Sequence, residues 1–273
     1  MVPPARPEAC ASAGRAHGFQ RWAAGLVLAC AMGQACAADT DTGTALAAPA
    51  AWSLTDKRVG LAWLRYREPI MHLQGPALTL QLDWQGTRLG TQRPGWAPDA
   101  LSAELLLARL HYSSADTGSL SGVPAVGWRV SALWQMPEVA GHAWRLGPQY
   151  EGLWNDLRAT TSTGHQGYER LSNKLWLVAQ ARPAPERLLE LGLLVRGWQD
   201  SWLSQASSQL PDITNVQKRG LTLHYRHSPW TLQNTALAPW VRYTQIGTSD
   251  FVGLQRWYEP RNRTLELGVQ ASF

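Results

Sequence analysis

The stretch 263–273, Arg-Thr-Leu-Glu-Leu-Gly-Val-Gln-Ala-Ser-Phe, alternates strictly: Leu265, Leu267, Val269, Ala271 and Phe273 fall on one side, and Thr264, Glu266, Gly268, Gln270 and Ser272 on the other. A helix would scatter these residues around its circumference. A strand, whose side chains repeat every two residues, sorts them onto one apolar and one polar face. The same period recurs upstream. Leu78, Leu80, Leu82 and Trp84 alternate with Ala77, Thr79, Gln81 and Asp83, and Trp128, Val130, Ala132, Trp134 and Met136 with Arg129, Ser131, Leu133 and Gln135. Leu189, Leu191, Leu193 and Val195 alternate with Glu190, Gly192, Leu194 and Arg196, and Leu221, Leu223 and Tyr225 with Thr222, His224 and Arg226. The pattern predicts ten strands, at about 57–67, 74–86, 101–113, 125–136, 143–156, 170–181, 187–200, 217–228, 237–247 and 263–273. An even number suits a closed antiparallel barrel, with eight or twelve strands as alternatives, and each segment can make a tilted bilayer crossing of about 9–11 residues.

The N-terminus reads as a targeting segment. Arg15 and Arg21 precede the apolar run Trp22–Met32, and Ala35-Cys36-Ala37 supplies a small-x-small cleavage site. A basic region, a short apolar core and such a site make a secretory signal peptide over 1–37. The run is shorter than the roughly 20 residues of a spanning helix. All three cysteines (Cys10, Cys30, Cys36) precede the cut, so no disulfide framework or thiol chemistry is expected afterwards. Lipidation at Cys30 is the competing reading. Residues 38–56 read as a flexible periplasmic lead-in and 57–273 as the barrel. The net charge of +5 falls to +3 once three Arg and Glu8 leave with the leader, too mild for nucleic acid, which calls for a strongly basic patch.

Tryptophan separates a membrane barrel from a soluble sandwich or solenoid. The chain has 15 Trp. Trp84, Trp134, Trp144, Trp230 and Trp240 fall near one set of strand ends, and Trp63, Trp128, Trp154, Trp176, Trp198, Trp202 and Trp257 near the other. Indoles gather at both headgroup levels of a bilayer, which gives two belts. Trp176, Trp198 and Trp240 can instead belong to the inward register. With the N-terminus periplasmic, the outer connections are 68–73, 114–124, 157–169, 201–216 and 248–262. Most are longer than the inner ones at 137–142, 182–186 and 229–236, though 87–100 is a long inner turn.

A last strand ending in Phe273 resembles the C-terminal signal of bacterial outer-membrane barrels, which the barrel-assembly machinery reads. Three segments are also similar to uncharacterised proteobacterial outer-membrane barrels: His111-Tyr-Ser-Ser with Gly118-Ser-Leu-Ser-Gly122, Gly167-Tyr-Glu-Arg-Leu-Ser-Asn173, and Tyr258-Glu-Pro-Arg-Asn-Arg-Thr-Leu-Glu-Leu-Gly268. The resemblance implies fold and location: an all-β, closed antiparallel transmembrane barrel in the bacterial outer membrane, in contact with its lipid and lipopolysaccharide. Relatives commonly carry Asp-Tyr where this chain has His111-Tyr112.

The inward register is expected to hold Asp83, Arg109, Arg129, Arg145, Glu151, Lys174, Glu190, Arg196, Lys218, Arg226, Arg242 and Glu266. A ten-strand barrel is little wider than the eight-strand kind that side chains fill, and buried charges must pair. The expectation is an occluded, Arg-rich polar lumen in a non-enzymatic protein whose outer loops make envelope or external contacts. Tyr168, Glu169, Arg170, Ser172 and Asn173 would form a rim segment packed back into the mouth. Surplus Arg and Lys leave a narrow anion-preferring pore as the alternative. A third reading is a lipid hydrolase: His111 and Ser113 have the two-residue spacing of outer-membrane phospholipases and lipid A deacylases, without their neighbouring motif residues. Asp156, His165, Asp200, Asp212 and Asp250 lie near the rim as in omptin proteases, with no Asp-Asp pair. No metal-ligand spacing or cofactor fingerprint is present.

Overall fold

The computed structural model describes residues 52–86, 97–116, 118–139, 141–158, 167–184, 186–202, 211, 213–228, 230–232, 235–251 and 258–273. The expected leader 1–37, most of the lead-in, and Trp257, His165 and Asp212 lie outside the described residues. The strand segments are β1 (Trp52–Arg67), β2 (Met71–Gly86), β3 (Ala100–Ser114), β4 (Gly118–Val139), β5 (His142–Arg158), β6 (Gly167–Ala184), β7 (Arg187–Trp202), β8 (Ile213–Gln217), β9 (Gly220–His227), β10 (Trp230–Leu232), β11 (Thr235–Ile246) and β12 (Asn262–Ser272). The first strand therefore begins at Trp52, inside the stretch expected to be a flexible lead-in.

Twelve segments make ten staves. β8 and β9 continue one another along β7 in a single register, Gly197 opposite Gln217 and Leu193 opposite Leu221, interrupted at Lys218 and Arg219. β10 carries the same stave on beside β11. Every neighbour is antiparallel, and β12 returns to β1 with Leu64 opposite Glu266, which closes the barrel and leaves no free edge between first and last strands. Tight turns need special backbone where they reverse: Val139 pairs with His142, and Gly141 between them takes φ +75°, a value that favours glycine. Gly75 serves a different need, because a Cβ there would collide with the carbonyl oxygen of Arg109 on the adjacent strand.

The outer wall is apolar. Leu61 is 71% exposed, Leu193 58%, Val195 57%, and Leu267 and Val269 48% each, with Leu78, Leu80, Leu82, Leu191 and Leu221 on the same surface. A band of this extent all round a closed sheet is not compatible with water and suits hydrocarbon. Trp63 stands on that wall, and Trp198 does so beside Tyr150 with ring centroids 6.2 Å apart. Trp176 and Trp240 do not join a belt; they are buried inside, at 0% and 6% exposure.

The interior is less uniformly polar than expected. At the end away from the start of β1 and the end of β12, Leu64, Tyr66, Leu73, Leu106, Leu110, Tyr112, Val123 and Leu157 form an apolar cluster within the barrel. Around Leu106 the strand is apolar on both faces, but elsewhere here the usual sides are exchanged: Arg65, Arg67, His72, Gln74, Arg109 and His111 alternate with these residues and lie on the outer side.

Candidate functional site

Six inward side chains from six staves meet across the lumen. Arg129 on β4 donates from Nη1 to Glu104 on β3 (2.5 Å), from Nη2 to Glu266 on β12 (2.5 Å) and from Nε to Glu151 on β5 (3.2 Å). Arg242 on β11 donates from Nη2 to Glu104 (3.0 Å) and from Nη1 to Glu266 (3.3 Å), and Lys174 on β6 donates to Glu151 (2.6 Å). Every one of these side chains is at most 11% exposed. Three cations and three carboxylates make the girder neutral. Because β12 and β4 are not neighbours, nor are β11 and β3, the contacts bridge the lumen rather than run along its wall.

Of the expected lumen residues, Asp83, Arg129, Arg145, Glu151, Lys174, Glu190, Arg226, Arg242 and Glu266 line the interior. Three do not. Arg109 is exposed on the outer wall, since it shares its side of β3 with Leu105 and Leu107, while Glu104 takes the inward side. Arg196 is turned outward by a bulge: Leu175 pairs with Arg196 and Trp176 with Leu194, leaving Val195 and Arg196 both exposed. Lys218 sits in the break between β8 and β9 and donates to Asp250 (2.5 Å). Glu104 went unnoticed in the sequence, although it lies directly across from Arg129 in the β3–β4 register. Arg58 was also missed. It is held by Asp56 (2.6 Å) and Gln81 (2.7 Å) and pairs with Asp83.

At the far end, Glu259, in the described part of the segment between β11 and β12, reaches into the mouth. Glu259 there accepts from Gln199 Nε2 (2.7 Å), Arg170 Nη1 (3.3 Å) and Tyr66 Oη (3.3 Å), while Arg170 also donates to Glu68 (3.1 Å) and lies 5.1 Å from the Tyr66 ring centre. Ser249 and Glu259 exchange hydrogen bonds that fold this segment on itself. Within the rim segment, Arg170 and Ser172 face the lumen, Ser172 donating to Gln199 (2.8 Å). Glu169 and Asn173 occupy the alternate side, where they accept from Trp154 Nε1 (2.6 Å) and Tyr150 Oη (2.5 Å). The side chain of Tyr168 lies outside the described residues. Between this clamp and the girder a void of about 30 Å³ remains, on the order of a single water. Neither Glu68 nor Glu259 was anticipated, since Glu259 lies 89 residues from Arg170 in the chain.

Burial, reinforced by the charge of Glu68 and opposed by Arg170, pushes the Glu259 carboxyl up to about 7 from its ordinary 4.5. The fold thus favours the protonated acid, and the clamp's contribution is full below 4.5 and lost as pH rises through about 7. Amide-exchange protection at Ser249 and Glu259, corrected for intrinsic rate, is expected to fall about tenfold between acidic and mildly alkaline conditions and to lose this dependence in Glu259→Gln. An unchanged pH response in the variant would contradict the assignment.

A second basic group lies outside. Arg65 and Arg67 on β1, Arg109 on β3 and Arg263 on β12 are exposed on the outer wall toward the same mouth. Arg67 stands opposite both Arg263 and His72, and Gln74 opposite both Arg65 and His111. None of these four arginines makes an ion pair among the described residues. His111 shares this wall with Ser113, but its Nδ1 is hydrogen-bonded to Ser121 Oγ on β4 (2.9 Å). Asp200 accepts from Thr214 (2.6 Å), and among the described residues no His, Cys, Asp and Glu group could hold a metal ion.

Closure, an apolar exterior and an ion-filled interior together define a transmembrane β-barrel. No family model matches the chain, and no curated protein sequence does. Among solved structures, it is similar to the outer membrane protease OmpT from Escherichia coli at 7% identity and a TM-score of 0.43, covering 81% of this chain and 98% of that one. It is similar to Neisserial surface protein A at 10% and 0.32 (81% and 97% covered), and to the translocator domain of the autotransporter NalP from Neisseria meningitidis at 11% and 0.39 (92% and 95% covered). At these scores the likeness adds no argument to the register and the outer wall.

Proposed function

We propose that the protein is a non-enzymatic, non-conducting barrel of the bacterial outer membrane that engages the phosphates of outer-leaflet lipopolysaccharide on its exterior. The observation that carries this reading is the pairing of Arg67 with Arg263 across β1 and β12, flanked by Arg65, on a wall otherwise built for hydrocarbon. Like charges directly opposite in a sheet repel, and long Arg side chains at the edge of an apolar band reach for the headgroup level. Phosphate oxygens there satisfy guanidinium forks bidentately and offset the repulsion.

Phosphorylated lipid A added to the refolded protein in a neutral detergent is expected to raise its unfolding midpoint, and dephosphorylated lipid A to leave it unchanged. In the double variant Arg67→Ser, Arg263→Ser the shift disappears and affinity drops about tenfold or more, while the folded band on an unboiled gel persists. Equal shifts from both lipids, or from both proteins, would sink the proposal.

A further inference from the structure

Below the girder, toward the end where β1 begins and β12 finishes, the lumen opens into a cavity of about 360 Å³. This lies within the range of pockets that hold small molecules. Its charges do not balance in the way the girder's do. Arg129 and Arg242 are committed to Glu104, Glu151 and Glu266, and Arg58 to Asp56 and Asp83. Three guanidinium groups remain. Arg226 is 9% exposed, and its Nη1 has no hydrogen-bond partner. Arg145 and Arg182 line the same cavity and make no ion pair among the described residues. Register brings the three together: Arg182 follows Ala181, which faces Leu189, and the adjoining Leu188 faces Arg226, while Arg145 stands opposite Gln180. Arg226 and Arg145 are each within electrostatic reach of Arg182. The acids within their reach are Glu190, which accepts from Gln180 Nε2 (3.3 Å), Asp56, which attracts Arg226 while bound to Arg58, and Asp99, which attracts Arg145.

We infer that this vestibule is a binding site for a small soluble oxyanion of the phosphate class, inorganic phosphate or a phosphomonoester. Beside the girder, four arginines (Arg58, Arg145, Arg182 and Arg226) face three lining carboxylates, with Asp99 near Arg145, and the open donor is Arg226 Nη1, which a phosphate oxygen would take. A buried guanidinium nitrogen without an acceptor is costly, and arginine forks suit tetrahedral oxyanions. The girder forms the floor, so the ligand enters from the end where β1 begins and β12 finishes. This assignment is independent of lipid engagement on the outer wall, and the two are tested by different ligands and different residues.

The test is titration calorimetry on the full barrel refolded in a maltoside detergent, which contributes no phosphate. Inorganic phosphate and glycerol 3-phosphate are the soluble probes, chloride is the charge control, and lysophosphatidic acid in the micelle supplies the same headgroup on a lipid. Saturable binding of both soluble phosphates is expected, weakened about tenfold or more in Arg226→Gln and in Arg182→Gln and unchanged in Arg196→Gln, which alters the outer wall. Each variant is checked for its folded band on an unboiled gel. If Arg226→Gln fails to fold, Arg182→Gln, exposed at the vestibule edge, carries the comparison. Absence of saturable phosphate binding by the unaltered protein, binding confined to the lipid probe, or equal affinity in Arg182→Gln would overturn the inference.

Discussion

Replacing Arg129 with methionine is expected to destabilise the folded barrel by about 3–5 kcal/mol, the usual loss when one partner of a buried ion cluster is removed. The side chain donates to Glu104, Glu151 and Glu266 at once, and no other group can take its place among them. Without it, three carboxylates share Arg242 and Lys174, and the interior carries an uncompensated negative charge. With a denaturant slope of about 2 kcal/mol per molar urea, the unfolding midpoint drops by about 2 M. The matched substitution Arg109→Met, on the outer wall, stays within about 0.5 kcal/mol. Adding Glu266→Gln to Arg129→Met removes one of the stranded charges and restores part of the loss. Urea unfolding followed by tryptophan fluorescence reads all three variants. Equal midpoints for the Arg129 and Arg109 variants would show that the girder does not hold the lumen as described.

The sequence carried the strands better than the contacts between them. Period-two alternation placed all ten staves because a lipid-facing wall and a polar lumen impose opposite demands on successive residues. It failed where that contrast fades. In 104–110, Glu-Leu-Leu-Leu-Ala-Arg-Leu, apolar residues fill both registers, and charge alone points Arg109 inward although its register belongs to the wall. Arg196 was lost differently: one bulge at Val195 moves every following side chain of β7 to the opposite face, so Trp198 lies outside and Gln199 inside. Such a bulge has no local signature in Leu193-Leu-Val-Arg196.

The partners of Arg170 were harder still. Its capture by a mouth lined with acids followed from the general cost of an unpaired buried charge, but the identities of Glu68 and Glu259 depend on which connection folds back over the barrel. Chain separation conceals that. The vestibule arginines illustrate the same divide: parity puts Arg145 and Arg226 inside, whereas their lack of a direct ion pair emerges only once Glu104 and Asp83 are seen to be taken by other cations.

The central claim is that these contacts seal the lumen. Two barriers in series stand along it, the neutral girder and the clamp formed by Glu259, Arg170, Gln199 and Tyr66, separated by a void of about 30 Å³. A hydrated ion would have to displace buried, mutually paired charges to pass, at a cost of several kcal/mol per broken pair, on the order of the loss assigned above to Arg129. The direct measurement is single-channel recording of the refolded protein in a planar bilayer. The account predicts a silent membrane after verified insertion, whatever the salt. Steady steps of uniform amplitude, above all with a preference for anions, would contradict it.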